Sequence, residues 1–428
     1  MIFLTIVGSW TGAVVYDRRE KKKVQKKWCD LVAHIAQEPL PVNQLRRKLT
    51  VIISAPPGDG IRPSRQYFKD YVKPVLVAAA MDYDVIEGRK EGDVRYGTAE
   101  QIRRLRRKKG EKGAVTAQEE PDVEVAIDMV QEKMHVVPEP VTRGDLVLGR
   151  HTWKEYIRGI HEGWLGPVDE PAPPPEPEPE PSPPIQLPNE AQPDDATATT
   201  TTENPEPEKK AEEEKETKKK PFPPPAYLAI DKYASASLSP HTPSVLEPSQ
   251  PIDQQHLLGF LKTPQRIYNF LTRRHLADRI GRETAAIVLA ASRPYQQGSE
   301  FGSTSSDGQD ATPVATSAPE LDADQGSPST GTEGWEQQTV LAQEEPKWHK
   351  SVRKAPKPDD AAAAAAERIW MSNVVIDARI GSRMRKFELD PEEEARANRL
   401  ASGEEKTRAR TMEDLRTEKP VVGNLDED

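Results

Sequence analysis

Cysteine is almost absent. Cys29 is the only one in 428 residues, which excludes an internal disulfide framework and any multi-cysteine metal site. Histidine is scarce as well: there are eight, none at zinc-ligand spacing, and His151 and His161 are out of phase with an i, i+4 pair. Glycine forms no dinucleotide or P-loop pattern, and no Gly-x-Ser-x-Gly elbow occurs. Cys29 lies on a helix with no histidine from a separate folded element beside it, so it makes no nucleophile. Paired carboxylates are dense only in stretches where nothing would hold their geometry. No enzyme and no cofactor is implied.

Long hydrophobic runs are missing too, with one shortened exception at the start, "MIFLTIVGSWTGAVVYDRREKKK". Ile2 to Tyr16 reaches only ~22 Å as a helix, against roughly 30 Å of bilayer hydrocarbon. Nothing basic precedes the run and no cleavage site follows it, so it is not a secretory signal. It is apolar all round, with Trp10 and Tyr16 where interfacial aromatics sit. The expectation is a membrane anchor over 1–16, built from Ile2, Phe3, Leu4, Ile6, Val7, Trp10, Val14, Val15 and Tyr16, with its first turns lying before Met1. Arg18, Arg19, Lys21, Lys22 and Lys23 then become candidate headgroup contacts, at about 1 kcal/mol per basic residue near an anionic surface.

Proline is what the chain has in excess: 41 residues, in a sequence only 35% hydrophobic. The segment 167–225 ("PVDEPAPPPEPEPEPSPP…KKKPFPPP") reads as an extended, disordered linker. Its residues 169–208 hold 11 acidic groups and no basic one, which accounts for the net charge of −10 and leaves the rest near neutral. A second polar stretch, 294–346, has too little apolar content to fold. The six alanines Ala361 to Ala366 read as a helical leader.

The remaining segments carry periodicity. Residues 17–41 form a basic amphipathic helix with Val24, Trp28, Leu31, Val32 and Ile35 on one side. Leu49–Ser54 is a buried strand, a helix with Tyr67, Phe68, Tyr71, Val72, Val75 and Leu76 follows, kinked or split by Pro74, and Tyr83–Gly88 is a second strand. Such a βαβ unit makes a parallel pair. Thr98–Gln101 and Thr152–Glu155 fit capping boxes, Pro121 begins a further helix, Gly144–Gly149 suggests a third strand, and Thr263-Pro264 starts another helix. "TAAIVLAA" (284–291) suits either a last strand or a helix end. The fold class is α/β: one mixed domain made of 42–166 and 226–293, interrupted by the long linker, with a peripheral, partly disordered helical region over 347–428.

Three constellations have a functional and a plain reading. "SAPPGDG" (54–60) occupies the place of a phosphate loop, but its prolines remove the N–H donors a phosphate would use, so it reads as a rigid turn with Gly58 and Gly60 in unusual dihedrals. A membrane-tethered enzyme or ligand-binding protein built on this unit is the alternative function. "RRLRRKKGEKG" (103–113) lacks the interleaved aromatics of nucleic-acid binding, which leaves solvated charge or anionic lipid. Trp153, Tyr156, Ile160 and Trp164 form a stripe that suits a core or, failing that, a partner surface.

The segments "YDRREKKKVQKKWCD", "RRKLTVIISAPPGDG", "YVKPVLVAAAMDYDVIEGRKEGDVRYGTAE", "DLVLGRHTWKEYIRGIHEGWLGP", "RIYNFLTRRHLADRIGRETAAIVLA" and "KFELDPEEEARANR" resemble, in order and spacing, the fungal mitochondrial import inner membrane translocase subunit family Tim fifty-four. The resemblance implies a single-span inner-membrane protein whose bulk lies in the intermembrane space. It implies a scaffold for inserting multi-pass carrier proteins, with the channel subunit, the small Tim chaperones, the i-AAA protease and inner-membrane lipid as partners and no catalytic residues. Seven Lys/Arg after the anchor would by the positive-inside rule place the domain in the matrix; the resemblance places it on the other side.

Overall fold

The computed structural model describes residues 2–40, 44–111, 129–130, 133–134, 137–138, 143–169, 223–297, 334–354 and 367–406. The Pro121 helix for the most part, the interior of the Pro/Glu-rich linker, most of 294–346, the alanine run and the last residues of the 347–428 region lie outside them.

Strands are β1 (Gln44–Leu45), β2 (Lys48–Ser54), β3 (Asp82–Gly88), β4 (Val137–Pro138), β5 (Gly144–Leu148), β6 (Ser249–Ile252), β7 (Ser292–Pro294) and β8 (Arg385–Phe387). The main helices are α1 (Ile2–Gln37), α2 (Arg62–Tyr67), α3 (Lys73–Ala78), α4 (Asp93–Lys108), α5 (Arg150–Leu165), α6 (Thr263–Leu271), α7 (Arg273–Leu289), α8 (Glu336–Thr339), α9 (Ala378–Gly381) and α10 (Pro391–Ser402). Six strands form one sheet in the order β3-β2-β5-β6-β8-β7, parallel except for the β7–β8 pair; β1 and β4 pair separately.

Alternation along the central strands divides the core in two. Leu49, Val51 and Ile53 of β2, with Leu146 and Leu148 of β5, face a layer made by α1, α3, α7 and α10. Ile52 and Val147 face α4, α5 and the segments around Trp335 and Ile380. Helices on both faces explain why these strands read as continuous apolar runs. At the edge, β3 is mostly exposed and carries Asp82, Asp84 and Glu87, charges that discourage further pairing.

Pro74 does not break its helix. A π-helical turn, Phe68–Val72, joins α2 to α3, and the Lys73 amide donates to Phe68 O, five residues back. Pro74 has no N–H to offer the Asp70 carbonyl, which accepts instead from Gln25 Nε2 of α1 at 2.6 Å.

Several expectations are corrected. The two capping boxes do not start their helices: α4 begins five residues before Thr98, and α5 begins at Arg150 after Gly149 at φ +86°. In the second box Thr152 bonds Ser54 Oγ at 2.7 Å and Glu155 accepts from the Val94 amide, so tertiary partners take the groups a cap would use. Of the two readings of "TAAIVLAA", the helix end holds and the strand does not: Thr284 to Leu289 close α7. Residues 334–346, assigned to a linker, are ordered, with Trp335, Gln337 and Glu344 buried. Within the region expected to be peripheral, 347–428, β8 lies in the sheet between β6 and β7. β6 itself, "SQPI", is not singled out in the sequence and contains a proline, Pro251. It is tolerated because β8 pairs with β6 only at Ser249, so Pro251 owes no hydrogen bond on that side.

Candidate functional site: the first helix and its domain

α1 joins two chemistries without a break. The apolar run expected as an anchor and the basic helix expected after it form one rod, Ile2–Gln37, of 36 residues, ~54 Å long. Trp28, Leu31 and Val32 are buried in the domain core, whereas Phe3, Leu4, Ile6, Val7, Trp10, Val15 and Tyr16 are exposed and Val14 is half-buried. Among the described residues no helix is long and apolar enough to cross a membrane.

The junction is locked. Asp17 is buried, and its Oδ1 accepts from both the amide and the guanidinium of Arg274 at 3.3 Å, capping the start of α7 from another element. Trp28 donates to Asp278 Oδ1 at 2.8 Å and lies over Gly281, where a Cβ would be 2.4 Å from its ring. Of the five candidate headgroup cations, Arg18, Arg19, Lys22 and Lys23 are exposed, and Lys23 bonds Glu20 at 2.7 Å. Lys21 is different: it lies over the Tyr71 ring at 4.2 Å, and burial lowers its ammonium despite Asp70. It packs on the domain.

The stripe Trp153, Tyr156, Ile160 and Trp164 is core, the first of its two readings rather than the partner surface; all four are buried. Residues 335–384 cover part of it: Trp153 Nε1 donates to Gln337 O at 3.0 Å. The basic run is also not plain solvated charge. Arg95, Arg103 and Arg106 recur on the face of α4 that meets α5 and are buried. Arg95 and Arg103 grip the Glu162 carboxylate at 2.6 and 2.7 Å. Burial raises Glu162, but the charge and hydrogen bond of Arg95, the Tyr227 amide and Arg103 outweigh it and hold the carboxyl below its ordinary value. Arg103 and Arg106 also donate to Pro167 O and Gly166 O, placing cations at the C-terminal end of α5. Arg95 reaches Pro224 O, so one helix face holds both margins of the Pro/Glu-rich linker. Periodicity counted on apolar residues alone missed this; arginines at i, i+8 and i+11 carry the signal.

A second candidate lies at the carboxyl ends of β2, β5 and β6, where strand order reverses and open α/β sheets place ligands. A cavity of about 150 Å³ is lined there by Pro56, Pro57, His151, Asp253, Gln254, Glu344 and others. Glu344 accepts from the amides of Arg150 and Gln254, both at 2.9 Å, and burial, then the facing Asp253, raises its carboxyl well above the usual range. Two carboxyl groups and two prolines make a poor anion cradle. Gly58 has the expected positive φ, +88°, and Gly60 does not; Asp59 accepts from the Gly60 amide at 2.7 Å, as a turn residue does. Burial lowers both His151 and His161 to about 4. His161 has Ile157 O at 2.8 Å on one ring nitrogen and the Asp377 amide at 3.0 Å on the other, an occupied structural histidine. Among the described residues no cluster suited to a metal ion occurs.

Comparison with known proteins addresses the whole chain. Residues 1–387 match the family of the inner membrane protein import complex subunit Tim54. The chain is 53% identical over 410 residues to the mitochondrial import inner membrane translocase subunit tim54 of Aspergillus fumigatus, covering 95% of this chain and 90% of that one. With the subunit of the same name from Neurospora crassa it shares 46% identity over 408 residues, 95% of this chain and 80% of the other. The Schizosaccharomyces pombe subunit is 32% identical over 167 residues, 39% of this chain and 44% of that one. The chain belongs to the Tim54 family of subunits of the mitochondrial inner-membrane protein import complex.

Proposed function

We propose that this subunit is a non-enzymatic scaffold for inserting multi-pass carrier proteins into the inner membrane. In this reading the apolar half of α1 is held in the bilayer as a single span. Arg18, Arg19, Lys22 and Lys23 meet lipid headgroups, and the α/β domain stands in the intermembrane space. There it docks the channel subunit and the small Tim chaperones, and the i-AAA protease is a further partner. The observation that carries the reading is the continuity of α1: the helix whose apolar end is exposed is the one whose other end is buried in the domain core. A rod of this kind transmits the orientation of the anchor to the domain, which a tether of flexible chain would not. Fixed orientation is what a docking platform requires.

The test is protease access to a C-terminal tag in mitochondria, after checking that the protein resists carbonate extraction. Digestion is expected only once the outer membrane is ruptured. A tag that survives until detergent is added places the domain in the matrix, as the basic residues after the anchor would have it, and sinks the intermembrane-space scaffold.

A further inference from the structure

The turn before α6 and the outer face of α6 carry apolar side chains that the fold does not use. Phe260 and Leu261 are 87% and 89% exposed, and Tyr268 and Ile267 also face outward. An exposed cluster of this sort marks a contact surface. Its position indicates what it contacts. Phe270, at the inner side of the same helix, stacks on Trp10 with ring centroids 6.5 Å apart and planes within 10°. Trp10 lies midway along the apolar run of α1, so α6 runs beside the stretch read as the anchor.

The surroundings are cationic. Arg273 lies over the Phe270 ring at 4.6 Å and Arg274 over Tyr16 at 5.5 Å, and Arg266 is exposed. Lys262 has its ammonium lowered by burial and by the nearby charges of Arg353 and Lys347. The nearest acid on α1, Asp17, is buried and already paired with Arg274. Apolar and aromatic residues on one face with Lys and Arg around them are the pattern of a segment that lies in a bilayer interface.

We propose that Phe260, Leu261, Ile267 and Tyr268 form a second, shallow membrane contact, inserted into the interface of an anionic bilayer beside α1. The proposal rests on the anchor reading of α1 and extends it. One helix leaves the tilt of the domain open, and a second contact off its axis sets that tilt. The domain would then sit against the membrane surface, with the carboxyl-end cleft, to which Gln265 and Asn269 of α6 contribute, close to the lipid.

The test uses the full chain with Cys29→Ser, reconstituted into vesicles of phosphatidylcholine with a minority of phosphatidylglycerol. Cysteine is introduced singly at Phe260, Phe3 or Leu105 and labelled with a polarity-sensitive fluorophore. The Phe260→Cys label is expected to shift its emission to the blue and lose quenching by aqueous iodide, while the label at Leu105, exposed on α4, stays aqueous. A Phe260 label that remains aqueous overturns the proposal and leaves this face to a protein partner; equal shifts at Phe260 and Leu105 overturn it as non-specific adsorption. The Phe3 label separates the two readings. If Phe3 shifts and Phe260 does not, the anchor stands and the second contact falls. If Phe3 stays aqueous while Phe260 shifts, α6 makes the lipid contact and the anchor reading falls. If both stay aqueous, both fall.

Discussion

Glu155 and His161 sit on α5, six positions apart, and burial shifts them in opposite senses. Burial raises the Glu155 carboxyl to about 7, against hydrogen bonds from the Gly92 and Val94 backbone and the Trp370 indole. Burial lowers His161 to about 4, although Ile157 O and Asp377 pull the other way. The signs follow from proton linkage. An acid whose folded value is raised costs nothing below its ordinary value near 4.5, and the penalty grows as pH climbs to 7. A histidine held neutral costs nothing above 6.5, and stability is lost as pH falls toward 4. Each contribution amounts to roughly 3 kcal/mol at its full extent. In urea titrations across pH 4.5 to 6.5, Glu155→Gln is therefore expected to steepen the loss of stability on acidification, and His161→Asn to flatten it. Parallel profiles for both variants and the parent would show that neither group titrates differently on folding. Both residues lie on a helix whose sequence shows its apolar stripe plainly, but nothing in the spacing says that its polar face would be covered as well. Residues 367–377 do that, and they are more than 200 positions away.

At the scale of elements, the close approach of α4 and α5 depends on two glycines. A Cβ on Gly159 would stand 2.7 Å from Arg95 O, and one on Gly163 2.7 Å from Ile102 Cβ. Small residues four apart make the groove that lets the arginines of α4 reach Glu162. Gly163→Ala should cost about 1–3 kcal/mol by overpacking, measured as a drop in urea midpoint. Ile102→Ala should cost less in the Gly163→Ala chain than in the parent, since it removes Cδ1 and Cγ2, 2.8 and 2.9 Å from the new methyl, though alanine keeps the Cβ. Additive losses in the double variant would mean that the two sites do not touch. The same interface explains the misread capping boxes. Thr98 and Thr152 with their following acidic or amide partners fit the local pattern, but helix ends are chosen by where the backbone turns, here at Gly92 and Gly149, both with positive φ.

Across the whole molecule, three strands of the six-stranded sheet come from beyond the Pro/Glu-rich segment, and β8 from beyond residue 380. Among the described residues β7 pairs only with β8, and Phe387 packs so tightly on Gly144 that a Cβ there would meet its ring at 2.4 Å. A chain ended just before Arg385 is thus expected to lose the cooperative urea transition of the full protein and to expose apolar surface to a hydrophobic dye. An unchanged midpoint would mean that β8 is an appendage and the sheet complete without it.

Sequence alone determined the local, apolar part of this protein. β2 and β5 are legible as short continuous apolar runs because both of their faces are buried, and the α1 periodicity and the Trp153 stripe because burying one side of a helix imprints a period of 3.6 on neighbouring residues. The exposed apolar end of α1 is legible for a different reason, since a run that is apolar all round has no polar face. Tertiary structure alone decided the rest. β6, β7 and β8 are three or four residues long, too short to show a period, and β6 and β7 include prolines. Their pairing depends on neighbours far away in the chain. The burial of Arg95, Arg103 and Arg106, the lock at Asp17 and the placing of α6 beside Trp10 depend on charge and shape meeting across elements. No single stretch of sequence records a partner that folding has yet to bring to it.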